Sequence, residues 1–276
     1  VSKAGGFVVE HYDGTGKLLY TAPARKPRTS RLRWEPVADM PTARLHHAMT
    51  GGSLPGTVVA LGGCDSNCIN YLASASRYAP GAANNWTQLP DMATRRSSFA
   101  AATLHGTVFA LGGANSIDYL ASVEAFDLAA GAHWTLLAAS MTTPRQGHAA
   151  AVLRGLIYAA GGENGGTYLA SVERFDGGAH STWALVASMG TGRGGIRGGQ
   201  GFALVALEEG GLSHHGGMLV AAGGSSNGGN TLASAEAYDP VADQWAPIAD
   251  MATARAFCAG AGLPDGKAYV SGGGGN

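Results

Sequence analysis

Cysteine, charge and long apolar runs are all scarce in this chain, and each scarcity excludes a class of protein. Three cysteines among 276 residues are too few for a disulfide scaffold, so we expect a reducing, intracellular compartment. With 13% charged residues and a net charge of -1, no overall field attracts nucleic acid or a membrane surface. No apolar run approaches the length of about 18 residues that a spanning helix needs. The sequence therefore predicts a cytoplasmic protein whose partners include neither a membrane nor a specific nucleic acid.

The chain is instead rich in a repeat built on tryptophan, methionine, arginine and paired glycine. In each copy a Met follows the Trp, an Arg lies four residues after the Met, and a Gly-Gly pair comes later. A repeat of roughly 50 residues indicates one supersecondary unit copied around a ring or along a stack. The copies are Trp34, Met40, Arg44, Gly62, Gly63; Trp86, Met92, Arg96, Gly112, Gly113; Trp134, Met141, Arg145, Gly161, Gly162; Trp183, Met189, Arg193, Gly223, Gly224; and Trp245, Met251, Arg255, Gly272, Gly273.

Each repeat divides into short apolar segments separated by turn residues, such as 147–153, 156–160 and 169–176 in one copy. Segments of this length between glycines and other turn residues are typical of strands, and four strands per repeat make one blade of a β-propeller. The first segment is rich in Ala and Gly, which suits an innermost strand crowded around a central axis. An Ala-rich helix is the alternative, but the runs are short and lie between glycines. The predicted fold is therefore an all-β propeller.

The repeated arginines resemble an anion-binding ring, but a structural role explains them better. The third strand carries Glu-x-aromatic-Asp in three repeats, beginning at Glu124, Glu173 and Glu236, whereas the first repeat has Ser76 at this position. A guanidinium can tie several acceptors together, so we expect these arginines to pair with the acids and with backbone carbonyls. We also expect the Gly-Gly pairs to adopt positive φ and to let a neighbouring blade pack on bare backbone.

The two ends of the chain predict how the ring closes. Residues 7–13 match a third strand and Trp34 opens a fourth, while the chain stops after Gly272 and Gly273, at the end of a second strand. The N-terminal strands are thus expected to complete the last blade, which pairs two otherwise exposed edges. This gives five four-stranded blades in one domain spanning 1–276. A fragment of a six-bladed ring is the alternative, because Gly5 and Gly6 resemble another second-strand end.

Two insertions interrupt the period, at 14–33 and at 208–217. The first is basic and contains two prolines, so we expect no core strand there. It is either a solvated, mobile loop or an arm that orders on an acidic partner surface, protein or RNA. The basic residues assigned to the arm are Arg25, Lys26, Arg28, Arg31 and Arg33.

These motifs resemble the kelch repeat, and the segments 153–162 and 169–193 closely resemble the repeats of BTB–kelch adaptor proteins. The resemblance covers nearly the whole chain and implies a kelch-type propeller that binds proteins. Such a module serves as the substrate-recognition part of a ubiquitin ligase adaptor or as a scaffold subunit, for instance in a cytoskeletal assembly. Copper radical oxidases and sugar mutarotases also use kelch-like propellers, so an enzyme is the alternative. The oxidases' Tyr–Cys pair and histidine ligands have no evident counterpart, and we predict no enzyme and no cofactor.

The resemblance also implies where partners bind. In BTB–kelch proteins, partner peptides contact one face, made by loops after the Gly-Gly pair and by residues just past the motif arginine. The loop residues at these positions are Asp65, Ser66, Asn67, Tyr71, Asn115, Asp118, Tyr119, Glu163, Asn164, Tyr168, Ser226, Asn227 and Asn230. The residues past the arginines are Leu45, Ser97, Gln146, Gly194 and Ala256. The three tyrosines either contact the partner or pack the start of the third strand.

The spacing of Cys64 and Cys68 is the remaining chemical signal. Two thiols four positions apart can hold a metal or form a tight disulfide. A structural zinc site needs four ligands, and no second cysteine pair is evident, although His46 and His47 are near in sequence. We therefore predict free thiols and no metal.

Overall fold

A computed structural model describes residues 8–12, 18–23, 37–52, 56–80, 85–178, 181–195, 199, 201–208, 217–227, 229–263 and 266–274. For 8–12 and 18–23 it describes the backbone. The chain forms two compact units, Val1–Val37 and Ala38–Asn276. Within the described part of the chain, no helix has both the length and the apolar character that a membrane crossing requires.

The second unit contains four antiparallel four-stranded sheets, each running from just after one motif arginine to the tryptophan of the next copy. They consist of β3 (Ala48–Gly51), β4 (Val58–Leu61), β5 (Ala75–Ala79) and β6 (Asn85–Leu89); β7 (Ala100–Leu104), β8 (Thr107–Leu111), β9 (Val123–Asp127) and β10 (Thr135–Leu136); β11 (Ala149–Leu153), β12 (Leu156–Ala160), β15 (Val172–Phe175) and β16 (Ala184–Val186); and β17 (Ala203–Leu207), β18 (Met218–Ala222), β19 (Ala235–Asp239) and β20 (Gln244–Ile248). A small hairpin joins β13 (Glu163–Asn164) to β14 (Thr167–Tyr168). The prediction of four strands per repeat is confirmed for these sheets.

The first strands of the sheets lie side by side, as expected for the innermost strands of a propeller. β3 contacts β7, β7 contacts β11, β11 contacts β17, and β17 contacts the next strand, β21 (Ala256–Gly262). Their small residues, among them Ala101, Ala102 and Ala151, line a cavity of about 370 Å³. Thr50 Oγ1 and Thr103 Oγ1 from two neighbouring strands lie 3.0 Å apart. The small residues of these first strands therefore border the space between the strands.

The motif arginines are structural, as the sequence predicts for three repeats. Arg145 is fully buried, and its Nη2 lies 2.7 Å from Oε1 of Glu173. Its Nη1 donates to the carbonyl of Gly161 at 2.7 Å, so one guanidinium joins two strands of a blade. The same carboxylate accepts from the backbone N–H of Thr142 in the preceding connection. The equivalent ion pairs are Arg96–Glu124 and Arg193–Glu236, each at 2.8 Å.

The first repeat departs from this arrangement. Arg44 is buried and donates to the carbonyls of Gly62 and Ser74, but its Nε and Nη2 have no hydrogen-bond partner among the described residues. Ser76 pairs with Ala60 in the same register in which Glu124 pairs with Ala110. The shorter side chain therefore leaves this guanidinium without the carboxylate that its counterparts have.

The tryptophans that the structure describes pack between blades. Trp134 Nε1 donates to the carbonyl of Pro90 in the preceding repeat at 2.9 Å, and its ring lies 5.2 Å from that of Phe126. Trp183 stacks on Phe175 with a ring separation of 5.1 Å. The indole thus covers the third strand of its own blade, while the hydrogen bond of Trp134 reaches the neighbouring repeat.

The last repeat ends in a two-stranded sheet, in which β21 pairs with β22 (Ala268–Gly274). In the first unit, β1 (Val8–Tyr12) pairs antiparallel with β2 (Leu18–Pro23). The count of five blades and their closure by N-terminal strands remain predictions. Leu18–Pro23, inside the insertion 14–33, forms the strand β2 and not a loop, because Tyr20 and Thr21 favour a strand. The other insertion, 208–217, lies between β17 and β18 in the sequence.

Candidate functional site

The two groups of residues predicted to bind partners meet in the second unit. In each of four repeats, the residue after the Gly-Gly pair is bridged on one side to the residue past the motif arginine. On its other side it is bridged to a residue four positions before the third strand begins. The bridged sets are Leu45, Cys64 and Tyr71; Ser97, Ala114 and Tyr119; Gln146, Glu163 and Tyr168; and Gly194, Ser225 and Thr231. The backbone therefore extends each blade into a three-segment ladder that fixes its loop.

Loops of three repeats enclose a groove of about 430 Å³, which we call the loop groove. Its lining is mainly polar, with one highly exposed apolar side chain, Ile117, whose exposed fraction is 83%. Ile69, in the corresponding loop of the preceding repeat, is 72% exposed. The groove is lined by Tyr71, Ala114, Asn115, Ile117, Asp118, Tyr119 and Gln146.

Glu163 joins the second and third of these loops. Its Oε1 accepts from the hydroxyl of Tyr119 at 3.0 Å, and its Oε2 accepts from Nε2 of Gln146 at 2.6 Å. Desolvation, followed by the hydrogen bond to Glu163, raises the pKa of Tyr119 above its ordinary value. Asn227 makes a similar connection further along, because its Oδ1 accepts from the backbone N–H of Tyr168 at 2.8 Å. The loops therefore brace one another and present a defined surface.

The two interpretations of the tyrosines remain predictions. Tyr71, Tyr119 and Tyr168 are half-buried, so each has one part packed and another part accessible. Tyr71 and Tyr119 line the loop groove, whereas the backbone of Tyr168 belongs to the β13–β14 hairpin. A tyrosine in this setting can offer contact area at little entropic cost, because its ring is already held.

Other predicted contact residues lie in different environments. Ser66, Asn67, Asn227 and Asn230 are exposed, and Asp65, Asn164 and Ser226 are half-buried. Ser97 is 3% exposed and its Oγ lies 3.8 Å from Sγ of Cys64, so its side chain is not available to a partner. Gly194 and Ala256 are also buried. The position past the motif arginine thus faces the surface only at Leu45 and Gln146. The arm residues Arg25, Lys26, Arg28, Arg31 and Arg33 lie outside the described residues.

The prediction of free thiols is wrong for one pair. Cys64 and Cys68 form a disulfide, while Cys258 is free and buried. The spacing places the two cysteines at the two ends of one tight turn, where the backbone N–H of Cys68 donates to the carbonyl of Asp65 at 3.0 Å. The turn brings the thiols together, and spacing alone did not distinguish this outcome from a reduced pair.

Sequence reasoning did not single out His148, Ile69 or Ile117. His148 is fully buried beside Gly162, where the first and second repeats have His47 and Phe99 beside their own second glycines. A Cβ on Gly162 would lie 2.8 Å from Cβ of His148, and Gly162 has a φ of 92°. The isoleucines had a usable signal, since an apolar side chain between turn residues stands out in a loop of polar residues.

Comparison with known proteins agrees with this geometry. Three segments match the family model described as Kelch motif, at residues 95–138, 144–190 and 210–252. The solved structure titled "Structure of YjhT" resembles this one with a TM-score of 0.65 at 16% sequence identity, and the match covers 83% of this chain and 72% of that chain. The similarity to BTB–kelch adaptors in particular remains a prediction. The chain therefore carries kelch repeats on an all-β propeller fold.

Proposed function

We propose that the chain is a non-enzymatic recognition module that binds a segment of a partner protein at the loop groove. The observation that carries the proposal is the combination of exposed Ile117 with polar groups held by loop-to-loop hydrogen bonds. Apolar anchors surrounded by polar groups are typical of binding surfaces, and loops on a rigid scaffold commonly carry them. The finer roles, substrate recognition for a ubiquitin ligase or a scaffold subunit of a cytoskeletal assembly, belong to this same proposal.

Site-specific photocrosslinking in the native cell tests the groove. A photoreactive residue in place of Ile117 should give discrete adducts with a partner. The matched control is Leu136, which is 55% exposed on the outer strand β10. Equal adducts at both positions, or none at Ile117, would count against the groove. Cullin among the partners would support the ligase role, and a stoichiometric assembly would support the scaffold role.

An enzyme remains the alternative, since a groove of about 430 Å³ with Asp118 and Gln146 in its lining also suits a small molecule. The two candidate classes are a copper radical oxidase and a sugar mutarotase. Elemental analysis showing stoichiometric copper would favour the first. Faster exchange between sugar anomers than in buffer, followed by NMR, would favour the second. We expect neither result.

A further inference from the structure

Three metal-binding side chains of the first repeat lie together at the edge of its loop. Nδ1 or Nε2 of His46 and the sulfur atoms of Cys64 and Cys68 all lie within 4.8 Å of one another. Nδ1 of His46 is 3.9 Å from Sγ of Cys68. The ladder explains the proximity, because the bridge between Leu45 and Cys64 brings the segment past Arg44 alongside the loop. The cluster is therefore a product of the blade's own register.

Cys68 occupies a backbone position that suits glycine. Its φ is 50°, and in the corresponding loop of the fourth repeat Gly229 has a φ of 79°. The two loops are held alike, since Gly229 N donates to Ser226 O at 2.9 Å as Cys68 N donates to Asp65 O at 3.0 Å. A side chain at positive φ costs free energy that glycine avoids. The backbone of the turn therefore does not account for a thiol here, which points to a role for the sulfur.

The loop that carries Cys68 is held by hydrogen bonds as well as by the disulfide. Asp65 Oδ1 accepts from the backbone N–H groups of Asn67 at 3.3 Å and Ile69 at 3.1 Å, and its Oδ2 accepts from Nδ2 of Asn70 at 2.6 Å. These bonds do not involve sulfur, and we expect the turn to persist when the disulfide is reduced.

We propose that the reduced form of this cluster is a binding site for a thiophilic cation, Zn²⁺, with Cys64, Cys68 and His46 as its ligands. Thiolate and imidazole are the ligands that zinc prefers, and three protein ligands leave one position for water. His46 is exposed, Cys68 is half-buried and Cys64 is fully buried, so the cluster lies at the surface with one ligand beneath it. The site stands on its own geometry and does not depend on the proposed function. It lies in the loop that carries Ile69.

The chemistry balances with a named reductant. A dithiol transfers two electrons and two protons to the Cys64–Cys68 disulfide, which becomes two thiols while the dithiol becomes a disulfide. Each thiol then releases one proton as its thiolate binds the cation, and His46 binds as the neutral imidazole. The oxidised form offers a disulfide in place of two thiolates. Cation binding is therefore expected only after reduction.

Cobalt is the spectroscopic probe for this site, because Co²⁺ coordinated by thiolates has a charge-transfer band that Zn²⁺ abolishes on displacement. The full chain is reduced with a phosphine, which takes an oxygen from water and leaves two thiols, and is then freed of reductant without oxygen. One equivalent of Co²⁺ should give the band in reduced protein and none in oxidised protein. One equivalent of Zn²⁺ should remove it.

Two variants that respect the backbone test the ligands. Cys68→Gly restores the residue found at Gly229, and His46→Asn places a residue that tolerates positive φ at a position whose φ is 51°. Removing a residue that hydrogen-bonds to a metal ligand lowers metal affinity by about 10–100-fold. Removing a ligand itself should therefore lower the affinity for Co²⁺ by at least about tenfold. The control Cys258→Ser removes the other thiol and should leave the affinity unchanged.

Several results would overturn the proposal. They are the absence of a band in reduced protein, binding by the oxidised form, and undiminished affinity in Cys68→Gly or His46→Asn. Circular dichroism of reduced protein and of Cys68→Gly provides the folding check, since neither contains the disulfide. An unfolded reduced protein would also overturn the proposal, because the cluster exists only when the first blade is folded.

Discussion

Acidification should destabilise the propeller through His148, a buried histidine at the start of the third blade. The imidazole is fully buried. Burial, with a smaller contribution from the positive charges of Arg145 and Arg96, lowers the pKa of His148 from 6.5 to about 3. The folded protein therefore keeps this group neutral, whereas the unfolded chain protonates it near neutral pH.

The sign and size of the effect follow from this difference in pKa. Above about pH 6.5, His148 is neutral in both states and its protonation does not change the free energy of unfolding. Below that pH, the free energy of unfolding decreases as the pH falls towards the folded-state pKa of about 3. At pH 5, which is about 1.5 units below the unfolded-state pKa, protonation of His148 stabilises the unfolded chain. At about 1.4 kcal/mol per unit, this lowers the free energy of unfolding by about 2 kcal/mol. The side chain is fully buried, so solvent screening does not reduce this figure.

Urea unfolding at pH 7 and pH 5 measures the effect. The test variant is His148→Phe, which installs the side chain that Phe99 provides at the equivalent place, and His148→Gln is a second neutral replacement. The wild type should lose about 2 kcal/mol more between the two pH values than either variant. His105→Asn is the control, because His105 is exposed on a turn. Equal losses in wild type and both variants would refute the reasoning.

Four further predictions concern the arginines and the N-terminal segment. Glu173→Gln should lower the free energy of unfolding by about 3–5 kcal/mol, because it leaves the buried charge of Arg145 unpaired; calorimetry showing no loss would contradict this. Ser76→Glu should raise it by about 1.5–3 kcal/mol by supplying the carboxylate that Arg44 lacks, and a lower melting temperature would show that the site cannot accept it. Removing residues 1–40 should yield an unstable or aggregating protein, whereas a stable monomer in ultracentrifugation would exclude closure by the N-terminal strands. Replacing the basic residues of the arm with serine should leave folding intact but weaken partner binding at low salt, and unchanged binding across a salt series would show that the segment is passive. The residues are Arg25, Lys26, Arg28, Arg31 and Arg33.

Much of the candidate site could be placed from the repeat, because equivalent positions recur in every blade. Asn115, Asp118 and Gln146 were expected on one face, and the structure brings them to one groove. The same reasoning failed for Ser97. This residue is buried, whereas Gln146, which holds the same position after the arginine in the next repeat, is half-buried. Exposure depends on the neighbouring residues of each loop, which the shared motif does not contain.

The sequence by itself determined the blade. The spacing of Trp, Met, Arg and Gly-Gly reflects two local requirements. The buried guanidinium needs a carboxylate such as that of Glu173, and the backbone at the Gly-Gly pair needs positive φ. Such constraints act within one repeat or between adjacent repeats, so they are visible as a period. The tertiary structure alone decided which loops meet, that Cys64 and Cys68 are joined beside His46, and that His148 is fully buried. These outcomes depend on the packing of each blade against its neighbours, and no local pattern records them.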